Sequence, residues 1–337
     1  MLNFDLPVFD DILNAAEQIK GTANLTPLIE SSDLNERVEG RVLLKVETLQ
    51  RTGSFKFRGA YNRISRLDTK QYPGGIIAYS GGNHAQGAAA SASLMQIPSM
   101  IMMPTNAVAS KVEATRALGA TVAFYPPDEA DSRDERAQKI ARKTGAVVVP
   151  SYDDPHVIAG QGTVGLEIFE AANDSGLSID SLLVPCSGGG LAAGCSLAKD
   201  ALSPNCKLYT VEPEGFDDTA RSLRLGERVK NHPGAKSICD ALLMSPPGEL
   251  TYAINRNSVA TGISVNDHDV RNAMIYAFYK LRLVLEPGGA VALAAILGGK
   301  LPTKNFTTAL VLSGGNVDPD LFRSIVLDGV GTGNLLP

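Results

Sequence analysis

In the segment Gly53 to Ala60, GSFKFRGA, Lys56 stands between Phe55 and Phe57 and is followed by Arg58. An ammonium group held among aromatic rings loses hydration, its pKa falls, and the neutral amine can condense with a carbonyl near neutral pH. The plainer alternative is a buried stem with a solvated head. Three glycine-rich stretches follow apolar runs elsewhere: SGGNHAQG (Ser80 to Gly87), CSGGGLAAG (Cys186 to Gly194) and LSGGN (Leu312 to Asn316). In the second, Ser187, Gly188, Gly189 and Gly190 precede the helical stretch LAAGCSLAKDAL, which aims bare amides and a helix N-terminus at an anion, with phosphate the natural occupant. A glycine turn needed only for close packing is the alternative. Gly188, Gly190 and Gly194 also imitate a dinucleotide fingerprint, with Glu212 where a ribose-binding acid would stand, but the spacing is GxGxxxG and two glycine loops are left unexplained.

These loops need a scaffold that gathers strand ends. Short apolar, β-branched runs, VLLKVE, GIIAYS, SMIMMP, TVAFY, AVVVPS, SLLVPC, KLYTVE and TTALVLSGG, alternate with helical stretches. The pattern predicts parallel strands joined by crossover helices, an α/β protein whose ligands gather at the carboxyl ends of strands. Near the N-terminus, Phe9, Ile12, Leu13, Ala16 and Ile19 share one helical face, with acids in the first turn and Gly21 as a stop. Residues 75–151 hold four strand signals of their own and are expected to form a small domain, with 1–74 and 152–337 forming a large one. No repeat or long polar linker interrupts the chain.

The chain has 337 residues, 44% hydrophobic and 20% charged, with a net charge of -5. That composition suits a globular protein with real cores and gives no electrostatic footprint for nucleic acid or an anionic membrane. Small molecules are the expected partners. The start, MLNFDLPVFDDIL, is acidic where a signal peptide is basic, and AVALAAIL (Ala290 to Leu297) is too short to span a bilayer and reads as a buried helix. Cys186, Cys195, Cys206 and Cys239 lack CxxC spacing, so a reduced, cytoplasmic setting is expected. The histidines at 84, 156, 232 and 268 form no helical metal-ligand pair, which argues against a zinc site.

Taken in order, GSFKFRGA, SGGNHAQG, AGQGT (Ala159 to Thr163), CSGGGLAAG, EPGGAVALAA and LSGGNVD resemble the fold type II pyridoxal-phosphate enzymes over nearly the whole chain, and in particular the serine racemase and threonine/serine dehydratase family. The resemblance implies two lobes, each with a mostly parallel twisted sheet flanked by helices. It implies that Lys56 carries pyridoxal 5'-phosphate as a Schiff base, that Phe55 packs on the pyridine ring, and that Asn83 bonds the ring hydroxyl. Ser187, Gly188, Gly189, Gly190 and Leu191 match the phosphate cradle, and Ser313 matches the partner of the ring nitrogen. A neutral hydroxyl there makes the ring a weaker electron sink and favours elimination of a β-substituent.

The reaction so implied is dehydration and deamination of a β-hydroxy-α-amino acid to a 2-oxo acid and ammonia, with Lys56 taking the α-proton. The turn containing Ser80, Gly81, Asn83 and His84 matches the loop that binds the substrate carboxylate. Racemases of the family carry a serine where this chain has Gly81, so racemisation is disfavoured beside dehydration. A NAD-dependent dehydrogenase and a non-catalytic cofactor-binding protein are weaker rivals still. Arg133, within DEADSRDERAQ, matches an arginine that can meet a distal carboxylate, which places 3-hydroxyaspartate beside serine and threonine; a solvated helix charge is the bland alternative. Glu212, Phe216 (through its carbonyl) and Asp218 match a divalent-cation site, for Mg²⁺ or else Ca²⁺ or Mn²⁺, with a solvated acidic turn as the alternative. The family is commonly dimeric, so a homodimer is expected. The chain ends soon after LSGGNVD, without length for a C-terminal regulatory domain of the kind found in biosynthetic threonine deaminases.

Overall fold

The computed structural model describes residues 6–126 and 133–327. Ten strands are present among them: β1 Leu28–Glu30, β2 Arg41–Val46, β3 Ile76–Tyr79, β4 Ser99–Pro104, β5 Thr121–Tyr125, β6 Val147–Val148, β7 Ser181–Pro185, β8 Lys207–Pro213, β9 Val259–Val265 and β10 Thr307–Leu312. The helices are α1 Phe9–Ile19, α2 Ser32–Arg37, α3 Lys56–Ile64, α4 Asn83–Leu94, α5 Ala109–Ala117, α6 Arg133–Thr144, α7 Pro155–Asp174, α8 Gly190–Leu202, α9 Asp218–Leu225, α10 Glu249–Ser258, α11 Asp267–Tyr276, α12 Pro287–Leu297 and α13 Pro319–Phe322. Two sheets result, one ordered β1-β2-β10-β7-β8-β9 and the other β5-β4-β3-β6. Every pairing is parallel except β1 with β2.

The predicted strand runs all became strands. Sequence reading missed β1 and β9, the two edges of the larger sheet. At these two edges the apolar signal is weak: β1 has only three residues, and Ala260 and Thr261 of β9 are exposed. Helix α1 has the predicted bounds, but its buried stripe is Ile12, Ala15 and Ile19, and Leu13 is 41% exposed. The stripe is chosen by α7, where Gly162 gives Ile12 room to dock.

Helix α12 is buried from Pro287 to Ile296, as an apolar segment without a polar face must be. It packs in the core with Val42, Leu44, Leu310 and Leu312 of the larger sheet. No helix among the described residues is long and apolar enough to cross a membrane. All four cysteines are buried and free.

Parallel register carries the site residues to one end of each sheet. Leu312 of β10 pairs with Val46 of β2, so Ser313 and Glu47 leave their strands side by side. Strand β7 ends at Pro185, immediately before the Cys186 loop, and β3 ends at Tyr79, immediately before the Ser80 loop.

Beneath these loops α3 is anchored by ions. Arg58 donates to both oxygens of Glu47, at 2.9 Å each, and to both oxygens of Glu167, at 2.5 and 2.8 Å. Lys45 completes the cluster on Glu167 at 2.5 Å.

Candidate active site

Every residue assigned from sequence to cofactor or substrate lines one cavity of about 440 Å³: Phe55 and Lys56; Ser80, Gly81, Asn83 and His84; Arg133; Ser187 to Leu191; and Ser313. The sequence separated these groups by up to 258 positions, and the parallel strand ends bring them together. Glu212, Phe216 and Asp218 do not line this cavity.

Lys56 opens α3, and its Nζ donates to the Ser151 carbonyl at 2.7 Å, 5.1 Å from the centroid of the Phe55 ring. No carboxylate pairs with it among the described residues. Desolvation without a counterion pushes the amine down to about 8, as the flanking aromatics suggested.

The loop Ser187 to Gly189 leads directly into α8, which starts at Gly190. The Tyr152 ring lies so close that a Cβ on Gly188 would sit 2.5 Å from it. The glycine is therefore required for a close approach, and the backbone stays bare toward the cavity. A phosphate monoester fits this cradle, and an amine without a counterion, its pKa lowered to about 8, fits a carbonyl partner.

Asn83 is fixed at both ends. Its Nδ2 donates to Glu286 Oε1 at 2.5 Å, and its Oδ1 accepts from Asn316 Nδ2 at 2.8 Å. Burial pushes the Glu286 carboxyl up to about 7, against the opposing pull of Lys111. Lys111 of α5 in turn pairs with Asp240, so an ion pair closes one wall of the cavity. Glu286, Lys111, Asp240 and Tyr152 all line the cavity and carried no assignment from sequence. The one available signal was Glu286, a carboxylate wedged between Leu285 and the helix-opening Pro287 of an apolar run.

His84 departs from the expected carboxylate binder. Its Nε2 donates to the Val149 carbonyl at 2.9 Å, and burial, with Lys56 nearby, pushes its pKa down to about 4. The neutral ring keeps only a lone pair on Nδ1, which has no partner. The side chain therefore has no donor left for an anion, and at this turn only the Ser80 hydroxyl and the N-terminal amides of α4 could supply one.

Arg133, the first residue of α6, faces the cavity instead of solvent. Its guanidinium lies 5.5 Å from the Tyr79 ring centroid, and Nη2 approaches Met244 Sδ at 3.0 Å. No carboxylate pairs with it among the described residues; Asp131, in the same acidic stretch, lies outside them.

Glu212 is fully buried, its oxygens accepting from the amides of Thr219 (3.0 Å) and Ala220 (2.8 Å) at the start of α9. A ribose cannot reach it, which removes the acid from the dinucleotide reading. Asp218 is also buried, and neither of its oxygens has a hydrogen-bond partner. Burial and the neighbouring Asp218 charge push Glu212 up to about 8, and burial pushes Asp218 to about 6. Two such carboxylates fit a hard cation better than a solvated acidic turn. No three His, Cys, Asp or Glu converge among the described residues, so the shell would draw on the Phe216 carbonyl and water. Thr219 links this pair to the cavity by donating from Oγ1 to the Ser187 carbonyl at 3.2 Å.

A lysine, a phosphate cradle and a two-sheet parallel frame define a cofactor-dependent enzyme of the carbonyl-amine type. The chain belongs to the pyridoxal-phosphate dependent enzyme family, whose signature it matches over residues 19–314. It is 40% identical over 321 residues to an L-threo-3-hydroxyaspartate ammonia-lyase of a Pseudomonas species, covering 95% of this chain and 99% of that one. It is also 40% identical over 323 residues to an L-threonine ammonia-lyase of Thermotoga maritima, covering 95% and 78%. The solved maize serine racemase superposes with a TM-score of 0.89 at 33% identity, covering 97% of this chain and 98% of that chain. The family excludes the dehydrogenase alternative.

Proposed function

We propose that the chain is an ammonia-lyase that dehydrates a β-hydroxy-α-amino acid, and that its preferred substrate is a 3-hydroxyaspartate. The observation that carries the preference is Arg133 in the cavity wall, resting on an aromatic face and a thioether with no described carboxylate to satisfy it. A distal substrate carboxylate would replace those weak neutral contacts with a charge-assisted pair. The relatives named for hydroxyaspartate and threonine support the reaction class.

Bound pyridoxal phosphate supplies an electron sink that acidifies the α-hydrogen and loosens the β-hydroxyl. The chain does the rest. The Ser187 to Leu191 amides would hold the phosphate, Ser313 would offer a neutral hydroxyl to the ring nitrogen, and Phe55 and Asn83 would contact the ring and its hydroxyl. Ser80 and the α4 N-terminus orient the α-carboxylate. Nζ of Lys56, neutral once pH exceeds about 8 and partly so at 7, receives the α-proton. Gly81 puts no hydroxyl on the cavity face where racemases of the family carry a serine, which disfavours racemisation.

We further take residues 75–151, which contain all four strands of the second sheet, as a small domain set into a large one. Mg²⁺, or Ca²⁺ or Mn²⁺, is assigned to Glu212, Asp218 and the Phe216 carbonyl, supported by Asp218's two unpartnered oxygens. Free buried thiols support a reducing cytoplasm. Exposed Leu25 and Leu49, at 81% and 54%, support a homodimer; the Asn24 side chain bonds the Leu49 carbonyl and brings the two together.

The test is 2-oxo acid release from L-serine, L-threonine and the 3-hydroxyaspartate stereoisomers by the native enzyme and Arg133→Ala. Hydroxyaspartate should lead, and the variant should lose on the order of 10²-fold in kcat/KM for it alone. Equal losses on all substrates, or a native preference for threonine, would refute the assignment of Arg133.

A further inference from the structure

Backbone amides serve an anion only while the carbonyls of the same loop are turned away and held. Here α10 holds that of Gly188 and shares that of Gly189 with α8. The Gly188 carbonyl accepts from Gly248 N at 3.2 Å and from Thr251 Oγ1 at 2.7 Å, while the Gly189 carbonyl, which accepts the first bond of α8 from Ala193 N at 2.8 Å, accepts also from Asn255 Nδ2 at 3.2 Å.

Helix α10 has no side-chain cap of its own, because its N-cap position is Gly248. The cap comes from Asp153. Its Oδ2 accepts from Glu249 N at 2.9 Å, and its Oδ1 accepts from Leu250 N at 2.9 Å and Thr251 N at 3.2 Å. A Cβ at position 248 would collide with Asp153 Oδ1, so the absence of a side chain there is what admits the carboxylate.

Asp153 also lies in the short connection that leaves β6 of one sheet for α7 beside the other, and its neighbours hold the site as well. The Ser151 carbonyl takes the Lys56 proton donor, and Tyr152 covers Gly188. Asp154 caps α7 and pairs with Arg63 of α3, the helix that Lys56 opens. Four consecutive residues thus tie the amine, the cradle and the two helices behind them to one strand of backbone.

We propose that Asp153 is a positioning residue of the anion cradle: it fixes the N-terminus of α10, whose Gly248 amide and Thr251 keep the Gly188 carbonyl turned from the cavity, and whose Asn255 reinforces the hold of α8 on the Gly189 carbonyl, so that the loop amides stay aimed at a phosphate monoester. The inference rests on residues 187–191 being that cradle. Asp153 touches neither cofactor nor substrate, so its effect appears as a loss of phosphate recognition, separate from any loss at the aldehyde end.

The test titrates the full chain, stripped of cofactor, with pyridoxal phosphate and with pyridoxal, following absorbance and protein fluorescence. The native chain should strongly prefer the phosphorylated form. In Asp153→Ala that preference should shrink by on the order of tenfold, as the loss of a helix cap implies, and Thr251→Val should shrink it in the same direction. The double variant should lose little more than the larger single loss, since both act through one contact chain. Asp153→Asn, which keeps the shape and one acceptor oxygen, should fall between native and alanine and serves if the alanine variant does not fold. If both ligands weaken by the same factor in Asp153→Asn or Asp153→Ala, the residue is only structural and the proposal fails. A native chain that does not distinguish the two ligands would instead refute the cradle itself.

Discussion

Lys56 and Arg58 lie two residues apart on one helix, both carry a buried cation, and they end in opposite chemical states. Arg58 is given two carboxylates, Glu47 and Glu167, with hydrogen bonds to all four of their oxygens, and its pKa is raised. Lys56 is given one neutral carbonyl and an aromatic face, and its pKa falls to about 8. Burial alone therefore decides nothing. A counterion turns a buried cation into a fastener, and its omission turns the cation into a nucleophile and base.

The same substitution at the two positions breaks the comparison most severely. Lys56→Met should abolish the visible imine band and lower turnover by at least ~10³-fold. Folding stability should change by under ~1 kcal/mol, because Gln161 Nε2 still donates to the Ser151 carbonyl that the lysine leaves, at 3.1 Å. Arg58→Met leaves two carboxylates facing Lys45 alone and should cost about 3–5 kcal/mol. Denaturant midpoints of the two cofactor-free variants check the pair. A stable Arg58→Met protein would show that the cluster does not fasten α3.

The reactive half of this contrast was legible in sequence and the fastened half was not. Lys56 announced itself through its aromatic neighbours, and the cradle through Gly188 to Gly190 before a helical run, because each signal lies within a few residues. Arg58 stood in the same segment without a sign of its partners, since Glu167 is 109 positions away. Glu286 meets Asn83 across 203 positions, and Asp153 meets Leu250 across 97. Such pairs exist only after the sheets bring strand ends together. Strand runs were legible throughout the smaller sheet and inside the larger one, and illegible only at β1 and β9, the edges of the larger sheet. His84 lines the cavity, but the carbonyl of Val149 sets its tautomer, and no local pattern encodes that.

A milder probe sharpens the contrast without mutation. With the folded pKa of Lys56 near 8 against an ordinary 10.5, the amine is protonated and inert below about 8 and neutral above it. Cofactor uptake by the stripped chain should rise about tenfold per pH unit below 7.5 and level off above about 8. An uptake rate still climbing at pH 9 would mean an ordinary, solvated lysine. Between about 8 and 10.5 the unfolded chain binds the extra proton, so this residue alone makes the folded chain more stable as pH rises. Arg58, charged in both states across that window, contributes no such slope.

The smallest expected effect comes from Gly81 in the same cavity. A Cβ at Gly81 would meet Pro104 Cδ at 3.6 Å and Ala107 Cβ at 4.0 Å, ordinary contact distances, so serine enters without moving backbone. Gly81→Ser should change stability by under ~0.5 kcal/mol and leave 2-oxo acid formation within a few-fold of native, with Gly81→Ala as the control. Its hydroxyl would be a second proton carrier, one that lacks the counterion-free burial that frees the Lys56 amine of its proton near pH 8. Chiral analysis of serine and aspartate recovered from the reaction then decides what the position needs. Inverted amino acid from the serine variant alone would make the missing hydroxyl the barrier to racemisation. Inversion already present in the native enzyme would overturn the reading of Gly81, and none in either protein would mean that a hydroxyl without a perturbed proton affinity cannot match what burial does for Lys56.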